Sequence, residues 1–519
     1  MTLWNQIWQD LRYGVRSLVR TPGFAIIAIV ALALGIGANT AIFSVVNAVL
    51  LRPLAYKDAG SLVTILHDGH DPVAVANYVD WRDQCRSFQS MAAAEYWRPN
   101  ITRSDPPEHL LGLHVTQNLF PMLGVEPLLG RVFISGEDRK GFEHEVVLSY
   151  VLWMRRFAGD PGVLGRDITL DGETYTVVGV MPRDFKFAPF WAMHAELWVP
   201  AAFGDRVRDR GGNSLRVFAR LKPGITLARA RAEIVTVTAR LERLYPGSNR
   251  GVQVTPLKEK VVGDIQTPLL MLLGACGFVL LIACANVAHM LLARTSDRQK
   301  EIAVRTALGA ARSRIVAQFL TENLLLAVLG AGAGCLLALV GTRLLVVLSP
   351  GYIPRVETVG LDSRVLIFLL AVTTLTAILF GLVPAMHATV GSLGGALKQS
   401  GRGGGDGLWR NRMRSFFVAS EFALAFMLLI GAGLMIRSFS ALEAVDPGFN
   451  PENVLSMVVS VAGSNEALPE HRAVFYRQLL ERVRALPGVQ SAGAINHLPL
   501  RGDMWGWPFL IQGRHAASR

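Results

Sequence analysis

Charge is scarce in this chain. Only 18% of its 519 residues are Asp, Glu, Lys or Arg, against 51% hydrophobic, and the mean hydropathy is +0.35. That balance excludes a disordered chain and exceeds the apolar share of ordinary soluble proteins, so membrane class is the first expectation. Cysteine is scarcer still. Of the four, Cys276, Cys284 and Cys335 lie in apolar runs and Cys85 stands alone in the long region between the first two runs, which leaves no intramolecular disulfide there. A nucleotide site is also missing: the glycines of 391 to 407 lack the G-x-x-x-x-G-K-[ST] spacing in which backbone amides and a lysine cradle phosphates. Any ATP is therefore expected on another chain, with no cofactor on this one. Neither a G-x-S-x-G elbow nor an H-E-x-x-H helix is present, and the chain is read as a non-enzyme. His67-Asp68-Gly69-His70-Asp71 sets metal-ligating side chains side by side. Adjacent residues seldom converge on one ion and no further cluster follows at ligand spacing, so this stretch reads as a polar turn and no metal site is assigned.

What is present is long apolar sequence. Residues 24 to 51, 267 to 293, 324 to 342 and 365 to 397 contain no Asp, Glu, Lys or Arg, and 415 to 436 contains only Glu421. Each is long enough to cross a hydrocarbon core of about 30 Å, which takes roughly 20 helical residues. Five spans are expected. The first exceeds the 7 to 15 residues usual for a signal-peptide core and no A-x-A site follows directly at its end, so it is read as a retained anchor.

The net charge of +12 is distributed by topology. Arg12, Arg16 and Arg20 precede the first span, Arg294 to Arg314 separate the second and third, and Lys398 to Arg414 the fourth and fifth. The loop of about 349 to 364 carries only Arg355 and Arg364, balanced by Glu357 and Asp362. Positive-inside bias then places the N-terminus in the cytoplasm and both 52 to 266 and the C-terminal tail outside. Nucleic-acid binding does not fit this pattern. Glu421 and His289 are ionisable groups near span ends and read as structural. Gly35, Gly37, Gly330, Gly332 and Gly334 read as sites of close helix approach.

Local patterns give elements. Trp4, Ile7, Trp8, Leu11, Val15 and Leu18 recur at helical spacing opposite Asp10, Arg12 and Arg16, an amphipathic helix over 3 to 20 that ends at Thr21-Pro22-Gly23. The 52 to 266 region is of domain size with mixed α/β patterning. Asp167 to Leu170, Asp171-Gly172 and Glu173 to Val180 predict a hairpin with a type I′ turn. Leu215 to Leu221 reads as a strand, and Thr226 caps a helix presenting Leu227, Ile234, Leu241 and Leu244.

The most informative stretch is RTSDRQKEIAVRTALGAARSRIVAQFLTEN, 294 to 323. Read as helix, Val304, Leu308, Ala311, Ile315 and Phe319 share one face, while Arg298, Lys300, Glu301, Arg305 and Arg312 crowd the other. Gly309 suggests a turn between two helices. Charge bias explains the arginines but does not require Glu301, the Ala307-Leu308-Gly309-Ala310 turn or the apolar face. A docking element is expected.

The pattern R-x-x-E-I-A-x-R-x-A-L-G-A-x-R, from Arg298 to Arg312, resembles the coupling segment of MacB/FtsX-type ABC transporter permeases. The resemblance extends to RSLVRTPGFAIIAIVALALGIGANTAIFSVVNAVLLRPL and to RVFARLKPGITLARARAEI, and covers essentially the whole chain. It implies an α-helical transmembrane protein with a large extracytoplasmic α/β domain of periplasmic core type, usually built of two small lobes. The expected order is a cytoplasmic amphipathic helix (1–23), span one (24–51), the periplasmic core-like domain (52–266), span two (267–293), the cytoplasmic coupling segment (294–318) and span three (319–348). Span four (362–390), a cytoplasmic Gly-rich linker (391–413), span five (414–440) and the start of a second outer domain (441–519) follow. Arg298, Glu301, Ile302, Ala303, Arg305, Ala307, Leu308, Gly309, Ala310 and Arg312 are the implied ATPase-contacting residues.

An internal repeat supports the last assignments: Arg16-Ser17 recurs as Arg414-Ser415, 398 positions later, and the spacing of Trp81, Phe88 and Met91 recurs in Leu479, Leu486 and Val489. The expectation is a duplicated permease whose second copy is incomplete here. The implied function is the inner-membrane permease subunit of an ABC transporter, coupling a cytoplasmic ATPase to the outer domain for export. The alternative is an FtsX-like regulator of an extracytoplasmic cell-wall hydrolase, and an outer adaptor or such an enzyme is the further partner expected besides the lipid bilayer.

Overall fold

The computed structural model describes residues 3–102, 108–187, 191–192, 194–297, 312–348, 359–390, 405–450, 452–461 and 468–495. Helix α1 (Leu3–Arg20) and helix α2 (Pro22–Val46) open the chain, and α2 ends in a π-helical turn, Asn47–Leu51. A mixed α/β domain follows. Its strands run β1 (Leu62–His67), β2 (Val73–Ala74), β3 (Phe88–Trp97), β4 (Asn100–Thr102), β5 (Glu108–His109), β6 (Gly112–Val115), β7 (Leu129–Gly130) and β8 (Glu145–Leu148). They continue as β9 (Asp167–Leu170), β10 (Glu173–Val180), β11 (Leu197–Pro200), β12 (Asn213–Leu221) and β13 (Val252–Pro256). Interleaved helices are α3 (Val75–Gln84), α4 (Leu119–Leu123), α5 (Tyr150–Phe157) and α6 (Leu227–Leu244).

One sheet carries the domain, in the order β13-β1-β12-β3-β6-β11-β8-β10-β9-β4-β5, with β2 on β12 and β7 on β10. The β6–β11 and β8–β10 pairs are parallel and the others antiparallel. Alternation of side chains sends the two faces to different cores. In β12, Leu215, Val217, Ala219 and Leu221 pack under α3 and α6, whereas Phe218 points to the opposite face. Further along, Val146, Leu148, Leu197 and Val199 pack under α5, and Val147 and Trp198 join Phe218. The two lobes that the resemblance implies are thus two helix-covered patches on one continuous sheet.

The predicted hairpin forms between β9 and β10, with Asp171 and Gly172 at φ 50° and 85° as a type I′ turn requires. Thr226 caps α6 by accepting a hydrogen bond from the Arg229 amide. Ile234 and Leu241 are buried there and Leu227 is half-buried, but Leu244, in the last turn, is exposed and lies outside the core that the pattern predicts for it. The His67–Asp71 stretch is a tight turn, with the amides of His70 and Asp71 both donating to the His67 carbonyl. No metal-ligand cluster occurs among the described residues.

Beyond β13 come α7 (Leu257–Asp297), α8 (Arg312–Leu348), α9 (Ser363–Val390), α10 (Gly405–Glu443) and α11 (Pro469–Arg484). Four helices are long and apolar enough to cross a membrane among the described residues: Pro22–Leu51, Ile265–Leu291, Val316–Leu345 and Ser415–Glu443. The predicted fourth span lies in α9, whose apolar stretch is described over Ser363–Ile378. Spans α2 and α8 meet through glycine: a methyl on Gly37 would lie 2.8 Å from the Gly334 carbonyl oxygen, and one on Gly330 2.7 Å from Leu32 Cβ. Gly35 faces Leu280 of α7, whereas Gly332 faces open space, so it is not a site of close approach.

Candidate functional site

Two joints connect the spans to what lies on either side of them. At the domain joint, β13 ends at Pro256 and α7 begins at Leu257 with no residue between. Val45, Val46 and Val49 from the end of the first span, with Leu257, Val261 and Val262 from α7, are buried in the core formed by the Phe218, Val147 and Trp198 face of the sheet. Burying aliphatic side chains of this size is worth about 1.5–3 kcal/mol each. The two helices are therefore seated in the sheet's own core rather than tethered to it. Helix α7 rises for about 60 Å at 1.5 Å per residue. Pro268, inside it, removes one backbone hydrogen bond where the apolar stretch begins.

Asp362 ties in the fourth span at the same level. Its Oδ1 accepts from the Val365 amide at 2.9 Å and so caps α9. Its Oδ2 accepts from Asn47 Nδ2 at 2.8 Å and Arg52 Nη2 at 2.6 Å, at the end of the first span. Burial alone would raise this carboxyl, but the Arg52, Val365 and Asn47 hydrogen bonds outweigh it and hold the group at about 2. Phe43 and Phe368 stack one turn deeper, centroids 3.9 Å apart.

At the other joint, Arg314 in the first turn of α8 pairs with Asp10 of α1 at 2.8 Å. Ser17 donates to Glu322 at 3.4 Å, and Gly14 packs on Glu322 and Leu325. Asp10 is 8% exposed, so it does not share the solvent face with Arg12 and Arg16 as the amphipathic pattern predicts. Helix α1 has three faces instead of two: Trp8, Leu11 and Val15 exposed and apolar, Arg12 and Arg16 exposed and basic, and Asp10, Gly14 and Ser17 fastened to α8.

The predicted docking residues Arg298, Glu301, Ile302, Ala303, Arg305, Ala307, Leu308, Gly309 and Ala310 lie outside the described residues. Arg312 opens α8, and its side chain is also outside them. The segment connects the end of α7 to the start of α8, two residues before the Asp10–Arg314 pair. His289 packs edge-on against Phe417 at 5.8 Å, a packing role, and Glu421 is half-buried. Sequence reasoning missed Asp10, Glu322, Asn39 and Asp362 as joint residues. Only Asp362 had a local signal, an Asp immediately before a helical apolar run. In the middle of the first span Asn39 donates to the Gly35 and Cys276 carbonyls, and Thr40 and Ser44 to the carbonyls four residues back, whereas at its end Asn47 Oδ1 is buried without a partner among the described residues.

An α/β domain whose sheet runs directly into helices long and apolar enough to cross a membrane defines a membrane protein with a large domain outside its spans. Residues 25–237 match the MacB-like periplasmic core domain and residues 274–392 the FtsX-like permease C-terminal domain. The chain thus carries both of the domains that MacB/FtsX-type ABC transporter permeases combine, and is a protein of the bacterial inner membrane. It is 26% identical to the macrolide export ATP-binding/permease protein MacB of Agrobacterium fabrum, over 53% of this chain and 41% of that one. It is likewise 26% identical to the pyoverdine export ATP-binding/permease protein PvdT of Pseudomonas syringae pv. tomato, over 52% and 40%. The chain thus spans about two fifths of the length of these relatives. The crystal structure of the periplasmic region of MacB from Actinobacillus actinomycetemcomitans is similar over 40% of this chain and 94% of that one, at 13% identity and a TM-score of 0.31.

Proposed function

We propose that this chain is the membrane subunit of an ABC exporter that works by mechanotransmission. ATP binding and hydrolysis on a separate cytoplasmic ATPase move the segment Arg298–Arg312, and α7 and α8 carry the movement to the outer domain. The observation that carries this reading is the joint at Pro256 and Leu257, where a strand of the sheet becomes the second span with no linker to absorb motion. In this reading the N-terminus is cytoplasmic, the sheet is outside, and what is exported is handled there.

Two helices between residues 405 and 484 fit a repeated plan in the chain, while 486–495, the counterpart of β3, contains no strand. Shifted by 398 positions, α1 and α2 fall on 401–444, where α10 spans Gly405–Glu443, and α3 falls on 473–482, inside α11.

Docking is tested by Glu301→Lys, which places like charge against an acid-accepting groove, and Leu308→Asp, which disrupts the apolar face. Both should lose ATPase co-purification and transport-linked ATP turnover, while Lys140→Glu in the outer domain should not. Retention of both properties at normal expression refutes the coupling role. Capture of a cell-wall hydrolase by the outer domain would instead favour the regulator.

A further inference from the structure

A second feature of the domain is unconnected with coupling. Between β11, the first turn of α5 and the loop 182–187 lies a cavity of about 460 Å³, within the roughly 300–1,000 Å³ usual for small-molecule sites. Its apolar lining includes Tyr150, Phe185, Phe187 and Trp198. Phe185 and Trp198 meet edge to face at 5.5 Å. Among the described residues its charged lining is one-sided: Arg98, Arg155, Arg183 and Lys186 against a single carboxylate, Glu196. Arg155 is already engaged by Glu196 at 2.7 Å and by Glu108 just outside at 2.5 Å, so Arg98 and Arg183 set the sign of the remaining field. Ser149, Tyr150 and Val151, the cap and first turn of α5, also line it. The first amides of a helix have no partner within that helix and favour negative charge.

The independent observation is Trp198. It is 1% exposed, lines the cavity, and its Nε1–H has no hydrogen-bond acceptor among the described residues. Buried indole N–H groups nearly always find an acceptor. Here the missing acceptor, the aromatic floor and the cationic wall coincide.

We propose that this cavity binds an amphipathic organic anion, its ring or chain on Trp198, Phe185 and Phe187 and its acidic group toward Arg98 and Arg183. A soluble aryl or acyl anion and the headgroup region of an anionic lipid share this chemistry. The floor belongs to the same core that receives Val45 and Val261 of the spans, and Tyr56, just beyond the first span, donates to the Lys186 carbonyl at 2.5 Å. An occupant therefore sits against the domain joint.

The test uses the full chain in phosphatidylcholine nanodiscs, titrated calorimetrically with 1-naphthalenesulfonate after subtraction of empty discs. Saturable binding should weaken about tenfold in the Arg98→Glu, Arg183→Glu double variant, as for loss of a close charge complement. Trp198→Phe, which keeps the ring and removes the N–H, should weaken it roughly threefold. Lys140→Glu, a cation reversed elsewhere on the surface, should leave it unchanged. Neutral 1-naphthalenemethanol and ringless methanesulfonate should bind at least tenfold less tightly to the unaltered chain. If phosphatidylglycerol discs abolish the signal, the anion is a lipid; if they do not, it is a soluble compound. Equal binding of the neutral analogue, or no effect of the double charge reversal, overturns the proposal. The neutral-analogue comparison needs no variant, so a folding defect cannot obscure it.

Discussion

Arg52 and Asp362 lie 310 residues apart in sequence and 2.6 Å apart in space, joining the end of the first span to the cap of the fourth-span helix. One carboxylate thereby serves a backbone amide, an asparagine and a guanidinium.

Replacing Asp362 with Ala should cost about 1 kcal/mol through loss of the cap alone. The partly exposed ion pair should add a few tenths to about 1 kcal/mol. The sign with pH is fixed. A carboxyl at about 2 when folded and near 3.9 when unfolded contributes stability that is complete above about pH 4 and is lost as pH falls toward 2. Thermal unfolding of wild type and Asp362→Ala should therefore converge on acidification, and parallel curves would show that the clamp contributes nothing.

Gly37 and Gly332 should respond oppositely to a small side chain. Gly37→Val inserts atoms where even a methyl would meet a backbone oxygen at 2.8 Å, so α2 and α8 must separate, at about 1–3 kcal/mol or more. Gly332→Val meets nothing within 4 Å and should be near neutral. Midpoints of thermal unfolding in detergent compare the two.

The Asp10–Arg314 pair predicts a rescue. Asp10→Arg sets two cations together at the root of α8 and should lower ATPase-coupled turnover several-fold. The exchanged pair, Asp10→Arg with Arg314→Asp, should recover roughly half or more if the contact acts as a unit. No recovery in the exchanged chain, with normal insertion, would show that position 10 matters for another reason.

Orientation can be read by thiol labelling. Burial, with Glu233 adding to it, pushes the Cys85 thiol up to about 12, so it stays protonated and slow near pH 8. The other three cysteines lie in α7 and α8. Against that quiet background an outer impermeant maleimide should modify Thr174→Cys, exposed on β10, and spare Ser400→Cys. Thr174 serves better than its neighbour Gly172, whose φ of 85° a cysteine would strain. The reverse labelling pattern would invert the topology.

Local chemistry was legible in the sequence, and distant pairing was not. Asp171-Gly172 specified its turn because only certain residues adopt left-handed backbone, and Thr226 specified a helix start because its oxygen meets an amide three residues on. Apolar runs revealed the spans through their length. Nothing local distinguishes Gly332 from Gly334, since what differs is the helix each faces. Asp10 read as a solvent residue because its partner is 304 residues away. The order of strands, with β13 beside β1 and β12 beside β3, depends on such meetings throughout.

The passage from Pro256 to Leu257 has a consequence for how this chain can vary. A loop absorbs an added residue by bulging, but here strand becomes helix at once. One inserted residue would turn everything below it by about 100° and shift it about 1.5 Å along the axis, swinging Asn39's acceptor at Cys276 away from the first span. At this point the number of residues, apart from their identity, sets the angular phase between domain and membrane.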